Sequence, residues 1–298
     1  MFSSPPRKLR RAYAVASLLT ALFSAAVSAA LLTLSEDLPK ILEKVSVSVT
    51  SGDKRIEARK ENASPTDASP KIAIVIDDCG ADMSMARRVL SSDVPMTWAI
   101  LPYLRYSSET AEMLREAGAP YMIHVPMQAE VDLPGKAGQR GPYLIGTGMS
   151  RDEVRETLVP VLDSLEGAFG INNHRGSKAT SDRDLMDAVM EVISERNLFF
   201  FDSRTSPRSV AYDSAVKHGL RAVSNSLFLD GEADRDKIAS RMGEALRLAH
   251  RKGTIAVICH LRPETVAFLE DFAGEFVNEN HESGVKFITL AEWPDYDF

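Results

Sequence analysis

Cysteine is scarce in this chain: Cys79 and Cys259 are the only two in 298 residues. A disulfide-stapled scaffold is excluded by that count, because one bridge at most can form. Two readings stay open, a single Cys79–Cys259 bridge or two buried inert thiols, and the spacing alone supplies no bridging geometry. No Gly-x-Ser-x-Gly elbow occurs, so the chain lacks the serine nucleophile of an α/β-hydrolase, and neither cysteine has separate support as a nucleophile. No glycine-rich stretch runs into Gly-Lys-Ser/Thr, which excludes a phosphate loop. There is no internal repeat. Positive charge is also short, with 35 Lys+Arg against 42 Asp+Glu. Four of those basic residues, Arg7, Lys8, Arg10 and Arg11, precede residue 12 and no acid does, leaving 31 against 42, or −11, for the rest. An acidic body without a basic, aromatic-laced patch is a poor nucleic-acid binder.

What is present falls into four segments. Residues 1–11 form a basic flank, and residues 12–34 are a run of 23 without charge. That run is long enough to cross a bilayer as a helix, and the flank should stay cytoplasmic. A cleaved signal peptide, with small-residue sites such as Ala26-Val27-Ser28, is the competing reading. The run is long for such a peptide, so the expectation is an uncleaved inner-membrane anchor with the domain in the periplasm. Residues 35–69, rich in Ser, Asp, Glu, Lys and Pro, read as a flexible linker. Val45, Val47 and Val49 alternate there with serines, too little to build a core. Residues 70–298 are expected to be the folded domain, with ample length to bury a core.

Within that domain, strand-like and helix-like patterns alternate, which calls for an α/β fold with a mainly parallel sheet. Strands are expected at 72–77, 96–101, 120–125, 169–173, 198–202, 220–224, 254–259 and 285–289. Ser150 and Glu153 form a capping box before Val154. Ser181 with Asp184 is expected to start a second helix, and Ser206-Pro207 a third. Arg115…Gly118, His218-Gly219 and Arg251-Lys252-Gly253 put cations and then glycine at helix ends. Residues 130–149 are a long glycine-bearing loop with no helical period, placed soon after His124 and expected to wall the site.

Five apolar runs end in polar, metal-capable residues: Ile72–Ile76 in Asp77-Asp78, Tyr121–Ile123 in His124, the stretch to Ile171 in Asn172-Asn173-His174, Phe199–Phe201 in Asp202, and Ile255–Cys259 in His260. If the runs are parallel strands, these ends share one face, where α/β barrels carry their active sites. Asp78, His124 and His174 then offer one carboxylate and two imidazoles, a ligand set suited to a divalent metal, zinc above all, with a position left for water. Such an ion polarises a carbonyl and acidifies water. Adjacent residues on a strand point different ways, so Asp77 can act as base while Asp78 ligates, and His260 can protonate a leaving amine. Asp202 and Arg204 are further candidates, as an ion pair or with Arg204 orienting Asp77. Each residue also has a plain structural reading: Asp-Asp as a helix cap, a lone histidine as a core residue, Asn172-Asn173 as a turn. His218 and His250 suit the last turns of helices. The joint pattern is what favours chemistry.

Ile74-Val75-Ile76-Asp77-Asp78-Cys79-Gly80, His124-Val125-Pro126-Met127, Asn172-Asn173-His174-Arg175-Gly176-Ser177, Phe201-Asp202-Ser203-Arg204-Thr205 and His260-Leu261-Arg262-Pro263-Glu264-Thr265 together resemble the divergent polysaccharide deacetylase family over roughly residues 71–292. The resemblance implies a NodB-like, distorted (β/α)7-type barrel with Asp77 as base, Asp78, His124 and His174 as metal ligands, and His260 as acid. It implies a metal-dependent de-N-acetylase of an N-acetylated envelope polysaccharide. Two departures stand out. The wider deacetylase group has a second metal histidine four residues after the first, where this chain has Gln128, and Arg175 adds a charge beside His174. They keep open an alternative, a catalytically degenerate, membrane-anchored glycan-binding or scaffold protein.

Overall fold

The computed structural model describes residues 69–92, 94–131, 145–278 and 283–294. The expected basic flank, membrane segment and nearly all of the linker lie outside these residues. Among the described residues no helix is long and apolar enough to cross a membrane.

Among the described residues eight strands appear in chain order: β1 (Lys71–Cys79), β2 (Thr97–Ile100), β3 (Tyr121–Met127), β4 (Gly170–Arg175), β5 (Phe199–Asp202), β6 (Ala222–Phe228), β7 (Thr254–His260) and β8 (Lys286–Ile288). Seven α-helices among the described residues lie between them: α1 (Met83–Leu90), α2 (Ser107–Glu116), α3 (Arg151–Asp163), α4 (Arg183–Ser194), α5 (Ala211–Lys217), α6 (Arg235–Lys252) and α7 (Pro263–Asn278). All strand pairs are parallel, and β1 through β7 run in sequence round a closed barrel. The closure is uneven. The lower half of β1 is flanked by β8, from Lys71↔Lys286 to Ala73↔Ile288, and only its upper half meets β2, from Val75↔Thr97 to Cys79↔Ile100. The expected seven-stranded barrel is therefore present, with β8 filling the lower part of the seam.

Side chains alternate across each strand. Ala73, Val75, Ala99, Met122, Phe201, Val223, Ala256 and Ile258 form the buried barrel interior. Ile72, Ile74, Ile76, Ile123, Ile171 and Val257 pack outward with helix residues such as Leu158, Val189 and Met242. Carried one step up each strand, the inward parity reaches Asp77, His124, Asn172, Ser203 and His260. The apolar layers thus end in a polar layer at the carboxyl mouth.

Most boundaries follow from local chemistry. Ser150 and Glu153 form the expected capping box on α3, and Gly253 (φ 86°) ends α6 after His250, Arg251 and Lys252. Two expected helix starts need correction. The cap of α4 is Asp182, which accepts Leu185 N–H, whereas the Ser181 hydroxyl donates back to Ser177 O. Ser206-Pro207 starts no helix: Ser206 Oγ accepts Arg208 N–H, closing a turn, and α5 begins only at Ala211. Cys79 and Cys259 are free, fully buried thiols, and burial pushes both well above the ordinary thiol range. The bridged reading is not realised.

Candidate active site

Asp77 and Asp78 are consecutive, so a regular strand would send them to opposite faces. The β1–β2 register slips between Ile76 and Cys79, and Asp78 sits in the left-handed region at φ 63°. This bulge costs about 1–2 kcal/mol for a residue with a Cβ. It turns the Asp78 carboxylate over the barrel mouth, while Asp77 stays inward, and it sends Cys79 back to the outer core. Arg175 (φ 57°) and Arg204 (φ 53°) adopt the same conformation just past His174 and Asp202. Strained backbone is thus gathered at three strand ends round one site.

Three side chains converge there. Asp78 Oδ1 lies 3.0 Å from His174 Nδ1 and 3.4 Å from His124 Nε2, and the two imidazole nitrogens are 3.1 Å apart. Donors about 2.0–2.2 Å from a tetrahedral ion stand roughly 3.3–3.6 Å from one another, so the spacing fits a small cation after minor relaxation. Asp78 Oδ1 is itself a buried oxygen that no well-directed hydrogen bond satisfies, which suits an atom that would ligate a cation. This trio is the one group among the described residues suited to hold a metal. His174 and Asp78 are about 28% and 30% exposed, leaving a corner open to solvent, whereas His124 is sealed. Burial raises the Asp78 carboxyl, but the two imidazoles outweigh it and hold the group well below the usual carboxylate range. Burial lowers both histidines. The charges of Asp77 and Asp78 reverse this at His124, which ends up raised; at His174 the charge on His124 adds to burial, and the group ends up lowered.

Asp77 is 2% exposed. Its Oδ1 accepts Asn172 Nδ2–H at 2.9 Å, and its Oδ2 lies 3.6 Å from His124 Nε2. Burial raises this carboxyl, against the pull of His124 and His260. His260 is the register partner of Asp77 on β7. The imidazole stacks on Phe228 at a centroid distance of 6.3 Å, and its Nδ1 lies 2.8 Å from Asp230 Oδ1. Asp230 Oδ2 accepts His260 N–H and the Thr265 hydroxyl, both at 2.7 Å. Burial lowers His260, but the Asp230 bond and charge lift it above its ordinary value.

Asp202 and Arg204 take a different place from the one expected. Asp202 is fully buried and accepts Arg204 N–H at 2.8 Å and the Ser209 hydroxyl at 2.8 Å. Its bonds shape the turn after β5, and Arg204 is exposed. Asp77 is oriented by Asn172, not by the Arg204 guanidinium. At the position where a second metal histidine was missing, Gln128 Oε1 accepts Thr147 N–H (3.0 Å) and the Thr147 hydroxyl (2.9 Å). Gln128 thus pins the end of the long loop, of which residues 132–144 lie outside the described residues, and His174 supplies the second imidazole from β4. The carbonyl of Arg175 is held by Asn173 Nδ2–H and the Thr205 hydroxyl, each at 2.7 Å. Asp230 was not anticipated, although Leu227-Phe228-Leu229 running into Asp230 obeys the strand-end rule.

Fold and site define a closed parallel α/β barrel with an Asp/His/His donor set at its carboxyl mouth. The chain belongs to the divergent polysaccharide deacetylase family, whose model matches residues 74–293. It is 32% identical over 203 residues to an uncharacterised protein of Haemophilus influenzae, covering 68% of this chain and 71% of that one. It is also 32% identical over 200 residues to the YibQ protein of Escherichia coli, covering 67% of this chain and 61%, less than two thirds, of that one. A solved structure from Agrobacterium tumefaciens shares the fold with a TM-score of 0.68 at 18% identity, over 77% of this chain and 90% of that one.

Proposed function

We propose that the protein is a metal-dependent hydrolase that removes N-acetyl groups from an N-acetylated envelope polysaccharide. The carrying observation is the convergence of Asp78 Oδ1, His124 Nε2 and His174 Nδ1 beside the buried Asp77. These three side chains would hold the ion, zinc best suiting the donors. When bound, it supplies Lewis-acid polarisation of the amide carbonyl and a more acidic water. The protein's own groups supply the rest. Asp77 Oδ2, the oxygen not held by Asn172, takes the proton of the attacking water. Asp230 keeps the His260 Nδ1 proton in place, so Nε2 delivers the second proton to the leaving amine. Burial of Asp77 makes it a stronger proton acceptor than a surface carboxylate.

The family membership supports the substrate class, and the basic flank with the uncharged run 12–34 supports an anchored, periplasmic domain. The degenerate scaffold reading rests on Gln128, on Arg175 beside His174 and on the long tether; the approach of His174 from β4 to Asp78 and His124 favours the hydrolase over it. The test is acetate release from N-acetylated glycans by the zinc-loaded wild type beside Asp77→Asn. Loss of release in the variant is expected. Equal release by both ends the mechanism, and glycan binding without release by the wild type returns the scaffold reading.

A further inference from the structure

Asn172 occupies the centre of the polar layer with no exposure to solvent. Its Nδ2 donates to Asp77 Oδ1 at 2.9 Å and to Ser203 Oγ at 3.2 Å, and its Oδ1 lies 2.8 Å from His124 Nδ1. Only one amide orientation is compatible with these neighbours. An ionised Asp77 oxygen can only accept, so the NH2 group must face it. That fixes Oδ1 toward His124, and an oxygen there requires the His124 proton to sit on Nδ1. The neutral ring then presents its lone pair at Nε2, the nitrogen that points at Asp78 and His174. The amide is itself braced: Ser203, 1% exposed, accepts from it, and Ser203 N–H donates to Asn173 Oδ1 at 2.9 Å.

We propose that Asn172 is a positioning residue that sets two groups at once, orienting the Asp77 carboxylate and selecting the His124 tautomer that can ligate a metal. The residue type follows from this double duty. An aspartate would keep the His124 bond but repel Asp77, and an apolar residue would leave Asp77 Oδ1 and His124 Nδ1 buried without partners. The part that concerns Asp77 as base rests on the deacetylase reading. The part that concerns His124 does not.

The test uses the full chain with Asn172→Asp, Asn172→Ala and the swapped pair Asp77→Asn/Asn172→Asp. Zinc affinity, measured by competition with a chromogenic chelator, is expected to fall about 10- to 100-fold in Asn172→Ala, the usual loss when the partner of a ligating histidine is removed. It should stay within about threefold of wild type, or tighten, in Asn172→Asp. Imidazole 15N spectra of the zinc-free wild type in alkaline buffer should show the His124 proton on Nδ1. The swapped pair restores a hydrogen bond of reversed polarity, so its melting temperature should recover from the loss seen in Asn172→Asp alone, without recovery of acetate release. Equal weakening of zinc in both single variants, a proton on Nε2 in the wild type, or no thermal recovery in the swap overturns the proposal. If the alanine variant does not fold, the nitrogen spectrum and the swap still decide it. A wild type that releases no acetate while these readouts hold counts against the deacetylase reading alone.

Discussion

Asp230→Asn keeps the shape of a buried side chain, removes its charge and turns one acceptor oxygen into a donor NH2. Three hydrogen bonds converge on the carboxylate, from His260 N–H, the Thr265 hydroxyl and His260 Nδ1. Bonds to a charged group are each stronger than neutral ones by about 1 kcal/mol, so neutralising Asp230 should cost about 2–3 kcal/mol. For a domain of this size that is roughly 4–12 °C in Tm. The kinetic effect has a separate cause. If the asparagine oxygen keeps the two donors on its Oδ2 side, its NH2 faces His260 Nδ1 and holds the ring neutral. General-acid groups contribute about 10²–10⁴-fold, so kcat for acetate release should fall by about 10² or more with little change in KM. The pH dependence gives the sign. His260 lies above its ordinary value of 6.5, chiefly because the Asp230 bond and charge outweigh burial. Its stabilising contribution is therefore complete below that ordinary value and is lost as pH rises through the folded value. Removing Asp230 should move the alkaline limb of the pH–rate profile to lower pH. A variant with wild-type kcat and an unmoved alkaline limb would refute the role of the dyad.

Gly170→Ala tests the barrel itself. A Cβ there would stand 2.4 Å from Phe199 O and 2.9 Å from Phe199 Cβ, across the Gly170↔Phe199 pair of β4 and β5. The backbone must shift, at about 3 kcal/mol, and a thermal melt unchanged from wild type would contradict the register. Asp187 joins α4 to α5: its carboxylate accepts Lys217 Nζ at 2.6 Å and the Ser214 hydroxyl, and these bonds lower it to about 2 from 3.8. A depressed carboxyl contributes stability above its unfolded value and loses it as pH falls through the folded one. The Tm gap between wild type and Asp187→Asn should be full above pH 3.8 and close as pH falls toward about 2; a gap that does not vary with pH would show that the ion pair contributes nothing.

Much of the architecture was legible because short continuous apolar runs mark parallel strands buried on both faces, and the polar residues that end them share one face of the barrel. Seven of the eight strands fall within about two residues of their expected bounds, and Asp78, His124 and His174 meet as the shared-face argument required. The misses have local causes. The strand expected at 220–224 is Ala222–Phe228, because Ser224-Asn225-Ser226 interrupts the apolar pattern and a register irregularity between Asn225 and Leu227 lengthens the strand. Ending that strand early hid Asp230. The direction of Asp78 depends on a left-handed bulge, and Asp does not announce positive φ as glycine does. Asn172 looked like a turn former because a buried amide acquires meaning only from the partners at both its ends, which lie on β1, β3 and the turn after β5. Asp202 and Arg204 looked like an ion pair because two opposite charges near in the chain suggest pairing, whereas the backbone N–H of Arg204 is what Asp202 holds.

The most direct test of the metal centre is equilibrium dialysis of the full chain against zinc, followed by metal analysis. One zinc per wild-type chain is expected, with that stoichiometry lost in Asp78→Ala, His124→Ala and His174→Ala variants that still fold. A wild type that retains no zinc, or variants that retain it undiminished, would contradict the account.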